Sequence, residues 1–119
     1  MDIPKPSDQD KAYFADLFGE YDVEVKPMFG NLAAFVNGNM CAGLFGSAIG
    51  VRLPAEHREA LRAEPGAGAF GPADRPMKEY VAMPLAWRDD PELTHRWLER
   101  AIAHTAALPP KVKKAKKRR

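Results

Sequence analysis

Residues 26–53, KPMFGNLAAFVNGNMCAGLFGSAIGVRL, constrain the fold more than any other part of this chain. Short apolar runs alternate there with two-residue turn signals. Asn37-Gly38 suits a type I′ turn because both residues tolerate positive φ, and Gly46-Ser47 can form a second tight turn. The stretch therefore predicts consecutive antiparallel strands over residues 23–28, 32–36, 39–45 and 48–53.

Segments on both sides of this stretch have helical patterns. Ser7 is a good N-cap for a first helix, and Asp89 or Asp90 is a good N-cap for the last one. Apolar residues recur in both helices at the spacing of one helical face. We expect helices at about residues 8–18, 54–63 and 91–108, and a fifth strand at residues 78–83.

The resulting order is α-β-β-β-β-α-β-α. Because each helix has an apolar face that must be covered, we expect the helices to pack on one face of the sheet. The predicted fold class is therefore α+β, a two-layer domain with an antiparallel sheet of about five strands. We expect residues 1–108 to form this single domain and residues 109–119 to form a basic, flexible tail.

Charge is distributed unevenly along the chain. Residues 1–110 hold 11 of the 18 basic residues and all 16 acidic ones, which gives them a net charge of −5. The other seven basic residues are Lys111, Lys113, Lys114, Lys116, Lys117, Arg118 and Arg119. Such a tail can contact nucleic-acid phosphates weakly and without reading sequence. The alternative is a disordered, solubilising terminus, since no aromatic residue in it could stack on bases.

No convincing set of catalytic or metal-binding residues is present in the sequence. Cys41 is the only cysteine, and its apolar neighbours indicate a packed thiol rather than a nucleophile. His95 and His104 lie about 180° apart around a helix, so they cannot bind one ion together. The glycines match no phosphate-binding motif. We therefore expect no cofactor, no metal and no enzymatic activity.

A second class of function stays open. The loop over residues 64–75 is rich in glycine and proline and lies close in sequence to Tyr80 and Trp87. It could act as a flap over the sheet and cover the site of a small-molecule-binding protein or a minor enzyme.

The N-terminal sequence lacks the basic and apolar regions of a secretory signal. No stretch is long and apolar enough to span a bilayer. We expect a cytoplasmic protein without membrane contact.

Several motifs follow one another in a specific order. They are Lys26-Pro27-Met28-Phe29-Gly30-Asn31, Asn37-Gly38 with Met40 after it, Arg52-Leu53-Pro54, and Pro76-Met77-Lys78-Glu79-Tyr80 followed by Pro84. Together they resemble the TfoX/Sxy N-terminal domain family, whose signature is a (R/K)PMFGG-like entry followed by a strand, a turn and a strand. The residues that carry this signature are Pro27, Met28, Phe29, Gly30, Asn37, Gly38 and Tyr80. Asn31 stands where many relatives have a second glycine.

The resemblance implies a helix-flanked antiparallel sheet similar to the secretion-chaperone-like arrangement. It also implies a non-enzymatic regulatory or interaction domain, similar to the module of competence transcription regulators, which act with other factors. In that family the competence role belongs to longer proteins with a second, C-terminal domain. A transcription-related protein partner is therefore expected. Homodimerisation through the sheet or the last helix is a further alternative.

Overall fold

The computed structural model describes residues 5–28, 30–72, 74 and 76–110. Phe29 of the signature and the seven basic tail residues lie outside these described residues. The helices are α1 (Asp8–Phe18), α2 (Ala55–Arg62) and α3 (Pro91–Ala106). The strands are β1 (Glu24–Met28), β2 (Asn31–Val36), β3 (Asn39–Phe45), β4 (Ala48–Arg52), β5 (Gly68–Ala69) and β6 (Tyr80–Ala82). A 3-10 helix, Leu85–Asp89, precedes α3.

The six strands form one antiparallel sheet in the order β1-β2-β3-β4-β6-β5. Strands β1 to β4 are a meander of hairpins. The chain then passes through α2 and β5 to β6, which pairs with both β4 and β5. Gly43 of β3 lies opposite Gly50 of β4, so both glycines are on the same face. The register between β2 and β3 shifts beside Ala34, which leaves Cys41 as the extra residue of a β-bulge.

All three helices pack on one face of this sheet. Phe14 and Phe18 of α1, Leu61 of α2 and Leu98 of α3 are buried there. The strand side chains in the same core cluster are Ala34, Val36, Cys41, Ala42, Leu44, Ile49, Val51 and Val81, and Leu53 and Met83 join it from just beyond β4 and β6. This arrangement confirms the predicted two-layer α+β class and the single helix-covered face.

Local sequence signals determine the turns and the first helix. Ser7 and Asp10 form a capping box at the start of α1, with both hydrogen bonds at 3.0 Å. The β2–β3 turn has φ values of 52° at Asn37 and 82° at Gly38, as a type I′ turn requires. Gly46, with φ of 63°, begins the β3–β4 turn. The predicted hairpins are therefore confirmed.

The structure differs from the sequence-based expectation in the second half of the chain. The loop over residues 64–75 contains β5, so the sheet has six strands rather than five; a strand of two residues is defined by its pairing with β6 and leaves no periodic pattern. Strand β6 is shorter than the predicted 78–83, because a turn places the Tyr80 N–H on the Met77 carbonyl. The N-cap of α2 is Pro54, which was expected in the first turn.

Candidate interaction sites

The described signature residues are spread over the sheet and do not form one site. Gly30, with φ of 80°, makes the β1–β2 turn, whereas Asn37 and Gly38 make the turn at the other end of β2. Residues with side chains rarely adopt these backbone angles, apart from asparagine. The signature residues at these three positions therefore allow the backbone to form the turns of the meander.

Asn31 replaces the second glycine of the family pattern and has a structural contact of its own. It is buried, and its Oδ1 accepts a hydrogen bond of 3.1 Å from the backbone N–H of Gly46. This bond joins the start of β2 to the β3–β4 turn. The departure from the family pattern thus adds a link within the meander.

Tyr80 anchors β6 to β3 on the face that the helices leave free. Its hydroxyl donates to the Met40 carbonyl at 3.1 Å, and Nη1 of Arg52 lies 3.4 Å from the same oxygen. Nε of Arg52 also donates to Glu79 at 2.8 Å. Burial raises the pKa of Tyr80 to about 12, so the phenol remains a hydrogen-bond donor at neutral pH. This geometry gives Tyr80 a structural role.

The loop before β6 covers part of that face with a single aromatic ring. Phe70 is buried, and its ring lies over Gly43 and Gly50, two positions where the strands have no side chain. Phe45 and Tyr80 flank the ring, each with a centroid distance of 6.0 Å. A small molecule bound beneath this loop would have to displace the Phe70 ring.

On β1 to β3, the face that the helices leave free is less covered than it is at Phe70. We call this surface the open sheet face and define it by Lys26, Met28, Phe35 and Met40. Met28, Phe35 and Met40 are half-buried. Lys26 is exposed, with its Nζ 4.9 Å from the centroid of the Phe35 ring. Pro27 lies in β1, an edge strand, and its missing N–H discourages pairing with another strand. The open sheet face is thus better suited to side-chain contacts than to strand addition.

A partly buried ionic contact joins three distant parts of the chain. Asp10 is buried, and its carboxylate accepts hydrogen bonds from Arg88 Nη2 at 3.0 Å and from the Ser47 hydroxyl at 3.3 Å. Arg88 also donates to the Ser47 carbonyl and lies over the Tyr13 ring, 4.6 Å from its centroid. The hydrogen bond from the backbone N–H of Ser7 is the main cause that lowers the pKa of Asp10, with Arg88 adding to it.

A groove of about 690 Å³ lies between α3, the chain around the start of β1 and the β2–β3 turn. We call it the acidic groove. Its described lining residues are Tyr21, Asp22, Val23, Glu24, Phe35, Val36, Asn37, Gly38, Ile102 and Ala106. Two of these are exposed carboxylates and none is a lysine or arginine. The groove can therefore attract cationic groups.

Tyr21 links this groove to the outer side of α3. Its hydroxyl lies 2.7 Å from His95 Nδ1 and 3.1 Å from Glu99 Oε2. Burial and the Glu99 carboxylate raise the pKa of Tyr21 to about 12. Glu20 lies 3.8 Å from the other ring nitrogen of His95. His95 is only half-exposed because Tyr21 lies beside it.

The remaining reactive residue types are not brought together. Cys41 is buried in the core, where desolvation raises the pKa of its thiol to about 12. His57 packs edge-on against Trp97, and desolvation lowers the pKa of His104. Within the described residues, no group of three or more His, Cys, Asp or Glu side chains could hold a metal ion.

In the part of the chain that the structure describes, no helix is long and apolar enough to cross a membrane. The described residues form a small α+β domain, in which three helices pack on one face of a six-stranded antiparallel sheet. Phe70 covers part of the other face. The sequence model of the TfoX N-terminal domain matches residues 12–105, and the chain belongs to that family. No curated protein matches the chain.

Sequence reasoning missed the Asp10–Arg88 contact and the Phe70 position. Arg88 follows a proline and a tryptophan in a segment with no helical or strand period, so nothing local indicated its partner 78 residues away. For Phe70, the sequence contains one signal that indicates its position. An isolated phenylalanine in a glycine-rich loop, together with two glycines in neighbouring strands, indicates a ring packed on a gap in the sheet.

Proposed function

We propose that this chain is a non-enzymatic regulatory or interaction domain of the TfoX N-terminal type, acting in the cytoplasm. Its basic tail gives weak, nonspecific contact with nucleic acid. The proposed contact with nucleic acid rests on the charge distribution. Residues 1–110 have a net charge of −5, whereas seven of the nine residues that follow are basic. Seven cations in so short a segment produce a strong local field for phosphates.

The structure supports the proposal by locating the origin of the tail. Asn39 Nδ2 donates to the Pro109 carbonyl at 2.9 Å, which holds the end of the described chain against the start of β3. α3 ends at Ala106 with Ala107 as its C-cap, and the prolines at 109 and 110 then separate the helix from the basic residues. Because the body carries a net negative charge, we expect the contact to be weak and strongly reduced by salt.

A titration of duplex DNA tests this part. The intact chain is compared with a chain ending at Leu108 and with a variant in which Lys113, Lys114, Lys116 and Lys117 are glutamine. The matched control replaces Lys11, Arg62, Lys78 and Arg96 with glutamine, which removes the same charge from four exposed positions of the body. At low salt we expect the chain ending at Leu108 to lose binding, the tail variant to bind much more weakly because it keeps only Lys111, Arg118 and Arg119, and the control to lose little. Equal binding by all four proteins, or none by any, would refute the tail contact.

For the protein partner we propose the open sheet face as the contact surface. It presents half-buried Met28, Phe35 and Met40 beside exposed Lys26, a mixture typical of transient interfaces. A pull-down from the native cytoplasm should recover a transcription-related protein with the intact chain and lose it with Phe35→Asp. Leu85→Asp is the control, since Leu85 is 57% exposed and lies outside this face. Light scattering on the same samples distinguishes a homodimer from a complex with another protein.

A further inference from the structure

The acidic groove lies where the basic segment of the chain begins. Asn37, Gly38 and Val36 form one wall of the groove, and Asn39, the next residue along, holds the Pro109 carbonyl. Ala106, near the end of α3, lines the opposite wall. The described chain thus ends at Pro110, beside the mouth of a groove that carries the opposite charge.

The basic segment is long enough to follow this groove. Nine extended residues span about 30 Å, whereas the seven helical positions from Ala106 back to Glu99 cover only about 10 Å. Asp22 and Glu24 lie in the groove, and Glu99 and Glu20 lie around Tyr21 beyond it. Several lysines can therefore meet carboxylates along this path.

One local cation reduces the acidity of the groove without neutralising it, because Lys26 Nζ lies 3.8 Å from Glu24 with both side chains largely exposed. Beyond the groove, Glu20 lies 3.8 Å from Nε2 of His95. The Asp22 carboxylate is exposed and forms no ion pair or hydrogen bond with the residues that the structure describes. The half-buried Val23 and Ile102 supply apolar surface between the charges. Such a surface suits a peptide in which lysines alternate with small apolar residues, as Val112 and Ala115 do in the basic segment.

We propose that the acidic groove binds the chain's own basic segment, residues 111–119, and so acts as an internal competitor for whatever anion that segment contacts. Ionic contacts of this kind are weak singly and are screened by salt, so the segment exchanges between the groove and external phosphate. The competition with nucleic acid rests on the proposed function, but the contact between groove and segment does not.

Trypsin cleavage within residues 111–119, followed by mass spectrometry on the intact chain, measures the contact directly. The test variant is Asp22→Asn/Glu24→Gln. The control is Glu56→Gln/Glu59→Gln, which removes the same charge from exposed positions on α2. At low salt we expect the test variant to be cleaved in this segment about threefold faster than the unchanged chain or faster still, and the control to be cleaved at the unchanged rate. At about 0.5 M salt all three rates should converge.

Duplex DNA binding at low salt is the second readout. The test variant should bind DNA more tightly than the control, by about the factor found in the cleavage assay. Absence of DNA binding in every protein would refute the proposed function, yet the cleavage rates would still decide the groove contact. Equal cleavage of all three proteins, equal acceleration in both variants, or protection that grows with protein concentration would overturn the inference, the last because it places the segment on another copy.

Discussion

Phe70 occupies the space that a side chain at position 50 would need. A Cβ built on Gly50 would lie 2.2 Å from Cγ of Phe70, and one on Gly43 would lie 3.3 Å from Cζ of the same ring. Two neighbouring strands therefore lack side chains at the place where one ring packs. This fit fixes the loop between α2 and β6 on the face that the helices leave free.

Gly50→Ala should destabilise the protein, because the ring of Phe70 cannot share space with the added methyl group. We expect a loss of about 2 kcal/mol in the free energy of unfolding, in the range found for overpacked cores. Gly68→Ala is the control, since a Cβ there meets nothing within 4 Å. Chemical denaturation of the two variants measures the difference. Similar stabilities for both would contradict the packing of Phe70 on the sheet.

The contact between Phe70 and Gly50 can be tested further with a double-mutant cycle. Phe70→Ala alone should cost about 3 kcal/mol, because it leaves a cavity over the two glycines. Gly50→Ala should cost much less when Phe70 is already alanine, since the clash has been removed. Additive costs in the double variant would mean that the ring and Gly50 do not interact.

Asp10 should make the free energy of unfolding depend on pH in the acid range. Its pKa in the folded protein lies below the ordinary 3.8, so its contribution is present above that value and is lost as the pH falls through the folded pKa. Asp10→Asn should cost about 1–2 kcal/mol at neutral pH through the weakened cap and the lost Arg88 contact. The cost should shrink below about pH 4.

Thermal unfolding at a series of pH values measures this effect. Asp16→Asn provides the control, since Asp16 is an exposed carboxylate on the same helix. A cost for Asp10→Asn that stays constant from neutral to acid pH would show that the charge on Asp10 does not stabilise the fold.

Cys41 should be inert in the folded protein. Its side chain is buried in the core, and desolvation raises the pKa of the thiol to about 12, so little thiolate forms at pH 8. We expect a disulfide reagent to label the native chain at least about a hundredfold more slowly than the denatured chain. Rapid labelling of the native protein would mean that the bulge in β3 opens easily.

The sequence predicts the parts of this fold that are determined locally. A type I′ turn requires positive φ at two adjacent residues, and Asn37-Gly38 is a residue pair that tolerates it. Ser7 and Asp10 lie three residues apart, so their capping box can be identified without knowledge of the rest of the chain. Together with the apolar periodicity, these signals are sufficient to predict the meander, α1 and the face of the sheet that the helices cover.

The parts that the sequence does not predict depend on contacts between distant residues. β5 exists because Gly68 and Ala69 pair with β6, and two residues are too few to show a strand period. Arg88 meets Asp10 only after α1 and the 3-10 helix pack on the same side of the sheet. The acidic groove likewise arises from three separated segments, so its charge can be recognised only in the folded protein.

The central claim is that the basic tail carries the contact with nucleic acid, and the salt dependence of duplex DNA binding tests it most directly. For the intact chain, a plot of log Kobs against log salt concentration should have a slope of about −4 to −6, as expected if most of the seven tail cations meet phosphates. The variant with four tail lysines changed to glutamine should lose about 3 to 4 units of that slope. The variant with four body charges removed should keep it. A slope near zero for the intact chain, or a slope that falls equally in both variants, would contradict the account.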